Sequence, residues 1–219
     1  MTRPDGVATA RVLCVCTANI CRSPMTELLL RAGIAARTPD LVSSVDVASA
    51  GVKARDGSPI AEHAAELLAE RGVDPSAFRS RELTAELVAD ADLVLCATRE
   101  HRAAVIALEP SARQTAFTIR EFAWLLGQSP VPPNPDLASD LPARLAELVA
   151  TARGRRGLEQ PDRPEDLDLD DPYGKRKSAF RQTLALLDET LAAPLDLLTQ
   201  QSAGPPAVVQ APRRSWLRR

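Results

Sequence analysis

Aromatic residues are scarce in this 219-residue chain: four Phe, two Trp and a single Tyr make up 3% of it. Histidine is scarcer still, at two residues, His63 and His101. No uninterrupted apolar run exceeds the six residues Ala103–Leu108, so neither a membrane span nor a secretory hydrophobic segment is expected. An excess of one charge is also missing. The 27 Lys and Arg face 29 Asp and Glu for a formal charge of −2, too balanced for a chain whose main task is to hold nucleic acid. Without an export signal, Cys14, Cys16, Cys21 and Cys96 do not read as a secreted disulfide framework, and a cytoplasmic location is expected. Zinc is not expected, because it wants paired cysteine units with a His pair or a second Cys pair, and these histidines do not pair. No cofactor is called for. What remains is an ordinary globular composition, 45% hydrophobic and 26% charged, long enough for one generous domain.

The periodicity alternates between strand and helix. Arg11–Cys16, Val45–Ala50, Leu93–Ala97 and Thr115–Ile119 are short apolar β-type runs. Between them lie helical faces: Met25, Leu28, Leu29 and Ala32, with Ser23-Pro24 as the helix start; Ile60, Ala64, Leu67 and Leu68, closed by Gly72; Leu83–Ala89; and Thr98–Leu108,. Glu121–Leu126 follows the fourth strand. Strands alternating with helices of this length predict an α/β fold with a parallel sheet. After Gly127 the texture changes to a proline-rich connector, Ser129–Pro135, and an amphipathic helix over Leu141–Ala152. Glu159–Asp171 holds seven acids against one Arg and reads as a solvated stretch. Strong helical periodicity returns in Tyr173–Leu198, on Phe180, Leu184, Leu187 and Leu191. Gln200–Arg219 has four arginines and no acid and is expected to be a disordered basic tail,.

The chemistry is expected in Cys16-Thr-Ala-Asn-Ile-Cys-Arg22-Ser23, between the first strand and the first helix. A loop that wraps from a strand end onto a helix N-terminus turns backbone N–H groups inward and makes an anion nest, and the helix dipole adds positive potential there. Arg22 supplies a planar fork for two oxygens of a tetrahedral oxyanion. That field favours the thiolate of Cys16, the form that acts as a nucleophile, and Ser23 can donate a hydrogen bond to it.

VLCVCTANICRSPM resembles the signature of low-molecular-weight protein-tyrosine phosphatases of bacterial type. Ala48-Ser49-Ala50-Gly51, Arg81-Glu-Leu-Thr84, Leu93–His101 and Asp171-Pro172-Tyr173 resemble further segments of the family in the same order, with an insertion before the last. The resemblance implies a three-layer α/β/α fold whose four-stranded parallel sheet has the order 2-1-3-4, with the phosphate-binding loop after the first strand. It implies Cys16 as nucleophile, Arg22 as phosphate clamp and Asp171 as general acid and base. Thr17, Ala18, Asn19, Ile20, Cys21 and Ser23 would line the bound phosphate, with Asn19, Ser23 and Ser49 holding the loop's shape. Tyr173 would be a cleft wall against an aryl group and Arg55 a rim residue. The implied substrate is a phosphotyrosyl protein or small aryl phosphate, and an implied partner is a bacterial tyrosine kinase.

Several alternatives stay open. Asp170 competes with Asp171 for the acid. Cys21 is either a redox partner of Cys16 or a small packing residue, whereas Cys14 and Cys96 read as buried core thiols. Residues 128–165, inserted in a domain of 1–199, form either a lid or a surface decoration. Ala18 and Phe78 stand where many members have Gly and His, and Arg55 where many have an apolar rim. Arsenate reductase on the same fold with an external thiol is one rival, and a non-catalytic phosphate-binding module is another.

Overall fold

Four short, mainly apolar runs build the centre of the protein, and all but the partly open edge strand are buried on both faces, as strands of a covered parallel sheet are,. In a computed structural model, which describes residues 9–199 apart from 159, 160 and 162, these are β1 (Ala10–Cys16), β2 (Val45–Gly51), β3 (Leu93–Cys96) and β4 (Ala116–Thr118). All pair in parallel, in the order β2-β1-β3-β4. The register sets Val12 between Val47 and Leu93, and the carboxyl ends of β1 and β3 lie side by side, with Val15 opposite Cys96.

Helices cover both faces, as the alternation predicts. On one face Val12, Cys14, Val47, Leu95 and Phe117 pack with α1 (Arg22–Arg37), α2 (Glu62–Ala69), α5 (Ile119–Gly127) and α7 (Lys177–Thr199). On the other, Leu13, Val15, Val94 and Cys96 pack with Val88 of α3 (Ala85–Ala89) and Val105 of α4 (Arg99–Leu108). The observed elements match the expected ones to within a few residues. One detail differs. The residue before α1 is Cys21 and makes no side-chain cap, because Ser23 is turned away to Cys16 and Asn19. Gly72, with φ +74°, takes the left-handed turn after α2,.

Within residues 128–165 the helix α6 belongs to the core, while most of the described residues around it are exposed. Leu141, Leu145, Leu148 and Ala152 of α6 (Leu141–Arg155) are all buried in the main core, each Leu contributing about 1.5–3 kcal/mol of burial,. Buried Arg144 ties α6 to its surroundings, donating to the Leu197 carbonyl at 3.0 Å and pairing with Glu147. Arg155 caps the end of α5 through the carbonyls of Leu125 and Leu126. The described end of the acidic stretch, from residue 163 on, is also more ordered than expected. Residues 164–167 form a 3₁₀ turn, Asp168 accepts from the Arg99 N–H at the start of α4, and buried Leu169 donates its N–H to the Ala97 carbonyl at 2.8 Å. Among the described residues no helix is long and apolar enough to cross a membrane. The expected basic tail lies outside the described residues.

Candidate active site

Cys16 ends β1, and the chain then turns through residues 17–21 onto α1. The loop's carbonyls point away from its centre. Val52 and Lys53 donate their N–H groups to the carbonyls of Cys16 and Thr17 at 3.0 and 2.9 Å, and Ala61 donates to Ile20 at 2.8 Å. Such outward carbonyls leave the loop N–H groups for the interior, the arrangement of an anion nest. Asn19 makes the turn with φ 54°, the left-handed conformation that Asn tolerates best among residues with a side chain,. Gly51 fills the remaining space: a Cβ there would lie 2.6 Å from the Thr17 carbonyl and 2.8 Å from the Asn19 nitrogen.

A chain of hydrogen bonds holds this turn. Asn19 Nδ2 donates to Ser23 Oγ at 2.9 Å and to Ser49 Oγ at 2.7 Å, while Asn19 Oδ1 accepts from the Arg81 N–H at 2.9 Å. Ser49 in turn donates to Glu27 Oε2 at 2.7 Å. Ser23 Oγ lies 3.0 Å from Cys16 Sγ. Both hydrogens of Asn19 Nδ2 are directed at the serines, so the Ser23 proton has two acceptors, the Cys16 sulfur at 3.0 Å and the Ala50 carbonyl at 3.4 Å,. Burial pushes the Glu27 carboxyl above its ordinary value, against the opposing effects of the Ser49 bond and Arg31. Phe78 is buried and lines, with Glu27, Ser49 and Arg81, a cavity of about 720 Å³ behind the loop.

Arg22 brings the distant residues together. It is 5% exposed, its Nη1 donates to the Leu169 carbonyl at 3.1 Å, and its Nη2 meets Asp171 Oδ2 at 2.6 Å. Of the two neighbouring acids, Asp171 therefore faces the loop through Arg22, and both its neighbour Asp170 and Asp171 itself are exposed. Asp171 Oδ1 also accepts from the Tyr173 N–H at 3.1 Å, a local turn that fixes the carboxylate over the loop,. Tyr173 is 66% exposed. Arg55 is exposed on the segment that follows Lys53, and its carbonyl accepts from Ser58 and Ser80. The Nε–H of Arg22 has no partner among the described residues.

The four cysteines are unpaired and buried. Burial and the neighbouring Cys16 and Asp171 push the Cys21 thiol up to about 12. Burial likewise raises Cys14 and Cys96 well above an ordinary thiol, which keeps both as inert core groups,.

Four participants were not anticipated from the sequence: Glu27, the Arg81 backbone, Thr98 and His101. His101 is 6% exposed, with Nδ1 2.7 Å from Thr98 Oγ1 and Nε2 2.9 Å from Thr17 Oγ1. A signal for it was present. Adjacent parallel strands end at the same edge of a sheet, so the residues that follow β1 and β3 meet there,.

The model of the low molecular weight phosphotyrosine protein phosphatase family matches residues 11–130. EpsP, a probable low molecular weight protein-tyrosine-phosphatase of Ralstonia solanacearum, is 30% identical over 182 residues, 83% of this chain and 91% of its own length. A low molecular weight protein tyrosine phosphatase of T. tengcongensis superposes with a TM-score of 0.60 at 30% identity, covering 88% of this chain and 99% of its own. The YwlE arginine phosphatase of Geobacillus stearothermophilus superposes with a TM-score of 0.61 at 26% identity, covering 87% and 94%.

Proposed function

The chain belongs to the low molecular weight protein-tyrosine-phosphatase family, and from that premise we propose that it hydrolyses phosphotyrosine-type monoesters through a cysteinyl-phosphate on Cys16. One observation carries the reading. A buried guanidinium whose Nε–H has no partner among the described residues sits beside a thiol at the base of an anion nest. An unspent buried donor is costly, and an oxyanion in the loop would satisfy it.

In the first step the Cys16 thiolate attacks phosphorus in line, the S–P bond forms and the P–O bond to the aryl group breaks. Asp171 gives its proton to the departing oxygen. Arg22 and the N–H groups of Thr17, Ala18, Asn19, Ile20 and Cys21 hold the equatorial oxygens, where transition-state charge is spread. In the second step Asp171 takes a proton from water as the water attacks phosphorus. The S–P bond then breaks, and Ser23 donates to the departing sulfur. The entering phosphoryl group takes over Arg22 from Asp171, which frees the carboxylate for this work. Asn19 and Ser49 keep the loop in shape. Tyr173 stacks on the aryl ring, Arg55 tunes selectivity at the rim, and Cys21 is the neighbour that can form a reversible disulfide with Cys16 under oxidation.

The same reading takes residues 1–199 as one cytoplasmic domain with 128–165 inserted before the acid, and a phosphotyrosyl protein, such as a bacterial tyrosine kinase, as partner. Arsenate reduction with an external thiol is not favoured, since the relatives of this chain are named as protein phosphatases, and Cys96, fully buried in β3, offers no internal relay. Ala18 and Phe78 leave the loop's hydrogen bonds complete, which speaks against a binding module without activity.

The test is turnover of p-nitrophenyl phosphate, a phosphotyrosyl peptide and a phosphoarginyl peptide by wild type, Cys16→Ser and Asp171→Ala. Cys16→Ser is expected to be inactive, and Asp171→Ala to lose activity in part, more for poorer leaving groups. Activity surviving in Cys16→Ser would sink the mechanism. Preference for phosphoarginine would overturn the substrate class.

A further inference from the structure

His101 sits on the first turn of α4 with both ring nitrogens engaged, Nδ1 at Thr98 and Nε2 at Thr17. Thr17 Oγ1 also lies 3.4 Å from Arg22 Nη2, the nitrogen that meets Asp171. Burial, assisted by the positive charge of Arg22, pushes the imidazole down to about 4. At neutral pH the ring is therefore uncharged, with one nitrogen donating and the other accepting.

The hydrogen count around the ring then constrains the chain. Thr98 Oγ1 already accepts from the His101 backbone N–H, as the cap of α4. If its own proton goes to Nδ1, then Nε2–H donates to Thr17 Oγ1. Arg22 Nη2 can only donate, so both lone pairs of the Thr17 oxygen are then filled. The Thr17 hydroxyl proton then has no acceptor left among the described residues and is free for a phosphoryl oxygen in the loop. The opposite arrangement spends the Thr17 proton on His101 and leaves the Thr98 proton without an acceptor among the described residues. An anion at Arg22 selects the first arrangement.

We propose that His101 is a positioning residue, which aims the Thr17 hydroxyl as an additional side-chain donor to the phosphoryl group. It rests on the phosphatase reading of the loop. Thr17 then contributes more than its backbone N–H, and its hydroxyl lies on the side of Arg22 that faces Asp171 and the leaving group. The donor is aimed before substrate arrives, so its benefit falls mainly on the transition state, where charge on the equatorial oxygens is greatest.

The experiment is a double-mutant cycle on the full chain with p-nitrophenyl phosphate, together with vanadate inhibition as a probe of the five-coordinate state. Thr17→Val keeps the shape and removes the hydroxyl. It is expected to lower kcat about tenfold or more, to weaken vanadate by a similar factor and to move KM little. Thr17→Ser recovers most of that loss. His101→Phe is expected to repeat the Thr17→Val effect, and His101→Gln, which keeps an amide donor, to recover part of it. Combining Thr17→Val with His101→Phe costs little beyond Thr17→Val alone, because His101 acts through Thr17. Should His101→Phe fail to fold, the Thr17→Val and Thr17→Ser pair and the His101→Gln variant decide the matter. Additive losses in the cycle, or Thr17→Val within about twofold of wild type in kcat, would overturn the proposal. An inactive wild type, by contrast, would overturn the phosphatase reading itself.

Discussion

Arg22 and Asp171 are separated by 149 positions in the chain, yet their side chains meet at 2.6 Å, with Arg22 buried and Asp171 half open to solvent. The pair places the candidate acid against the candidate clamp before any substrate is present. A phosphoryl dianion entering the loop must displace that carboxylate from Arg22. Asp171→Asn removes both the competing charge and the acid. It is expected to bind inorganic phosphate more tightly, by about threefold given the exposure of the pair, while lowering kcat. Inhibition constants for phosphate beside turnover of aryl phosphates check this, and unchanged or weaker phosphate binding contradicts it.

Gly51 supports the loop by having no side chain. A methyl group at this position would press on the Thr17 carbonyl and the Asn19 nitrogen, which are backbone atoms with little freedom to yield. Gly51→Ala is expected to displace the turn, cost about 1–3 kcal/mol of stability and lower kcat/KM at least about tenfold. Thermal melts and p-nitrophenyl phosphate turnover together test it. Wild-type activity in Gly51→Ala would show that the loop tolerates the shift.

Glu27 and His101 give stability opposite pH dependences. The Glu27 carboxyl is raised above its ordinary value of 4.5, so the folded state holds the proton better than the unfolded one. That contribution is complete below about pH 4.5 and is lost as pH rises through the folded value. Glu27→Gln keeps an acceptor for Ser49 and removes the titration. Its Tm relative to wild type is expected to improve as pH is raised from 4 to 7, and a constant difference would refute the assignment.

His101 is lowered from 6.5 to about 4, so the unfolded state binds the proton better in that window. Its contribution is complete above about pH 6.5 and is lost as pH falls towards 4. In His101→Gln this part of the acid sensitivity disappears, so the variant's Tm falls less than that of wild type between pH 6.5 and 4. Comparing each variant with wild type separates the two groups, which would partly cancel in the wild-type curve alone.

The α6 helix is built into the core. Leu148 is 1% exposed, and Leu148→Ala is expected to cost about 2–5 kcal/mol. The KM for a small aryl phosphate should stay close to wild type in folded protein, because the main packing partners of α6 are α5, α7 and β1. A large change in KM with little change in Tm would restore the lid.

The alternation of strands and helices was legible because each apolar period is local, and Cys16, Arg22 and Ser23 were legible because a strand-to-helix turn has one geometry. Asp171 was harder to separate from Asp170, because nothing within the acidic run distinguishes them. In the structure it is Asp171 that meets Arg22, a residue far away in the chain. The place of α6 was not legible for a similar reason: an amphipathic face states that it must be covered, not by what. Thr98 and His101 were read as the start of a helix. Their approach to Thr17 follows from β1 and β3 being neighbours, which the expected strand order contained but the helical periodicity around them does not show.

The return of the chain to the site is pinned independently of how it gets there. Leu169 is bonded to the end of β3, the Leu167 carbonyl accepts from Thr118 Oγ1 at 2.7 Å, and Asp168 is held by Arg99 and by Arg120. These anchors lie just before Asp171. The mostly exposed connector 128–140 ahead of α6 can therefore be lengthened without moving the acid, so long as α6 keeps its place in the core. That makes it a permissive graft point, where new recognition elements can be added to this enzyme while its chemistry stays in place.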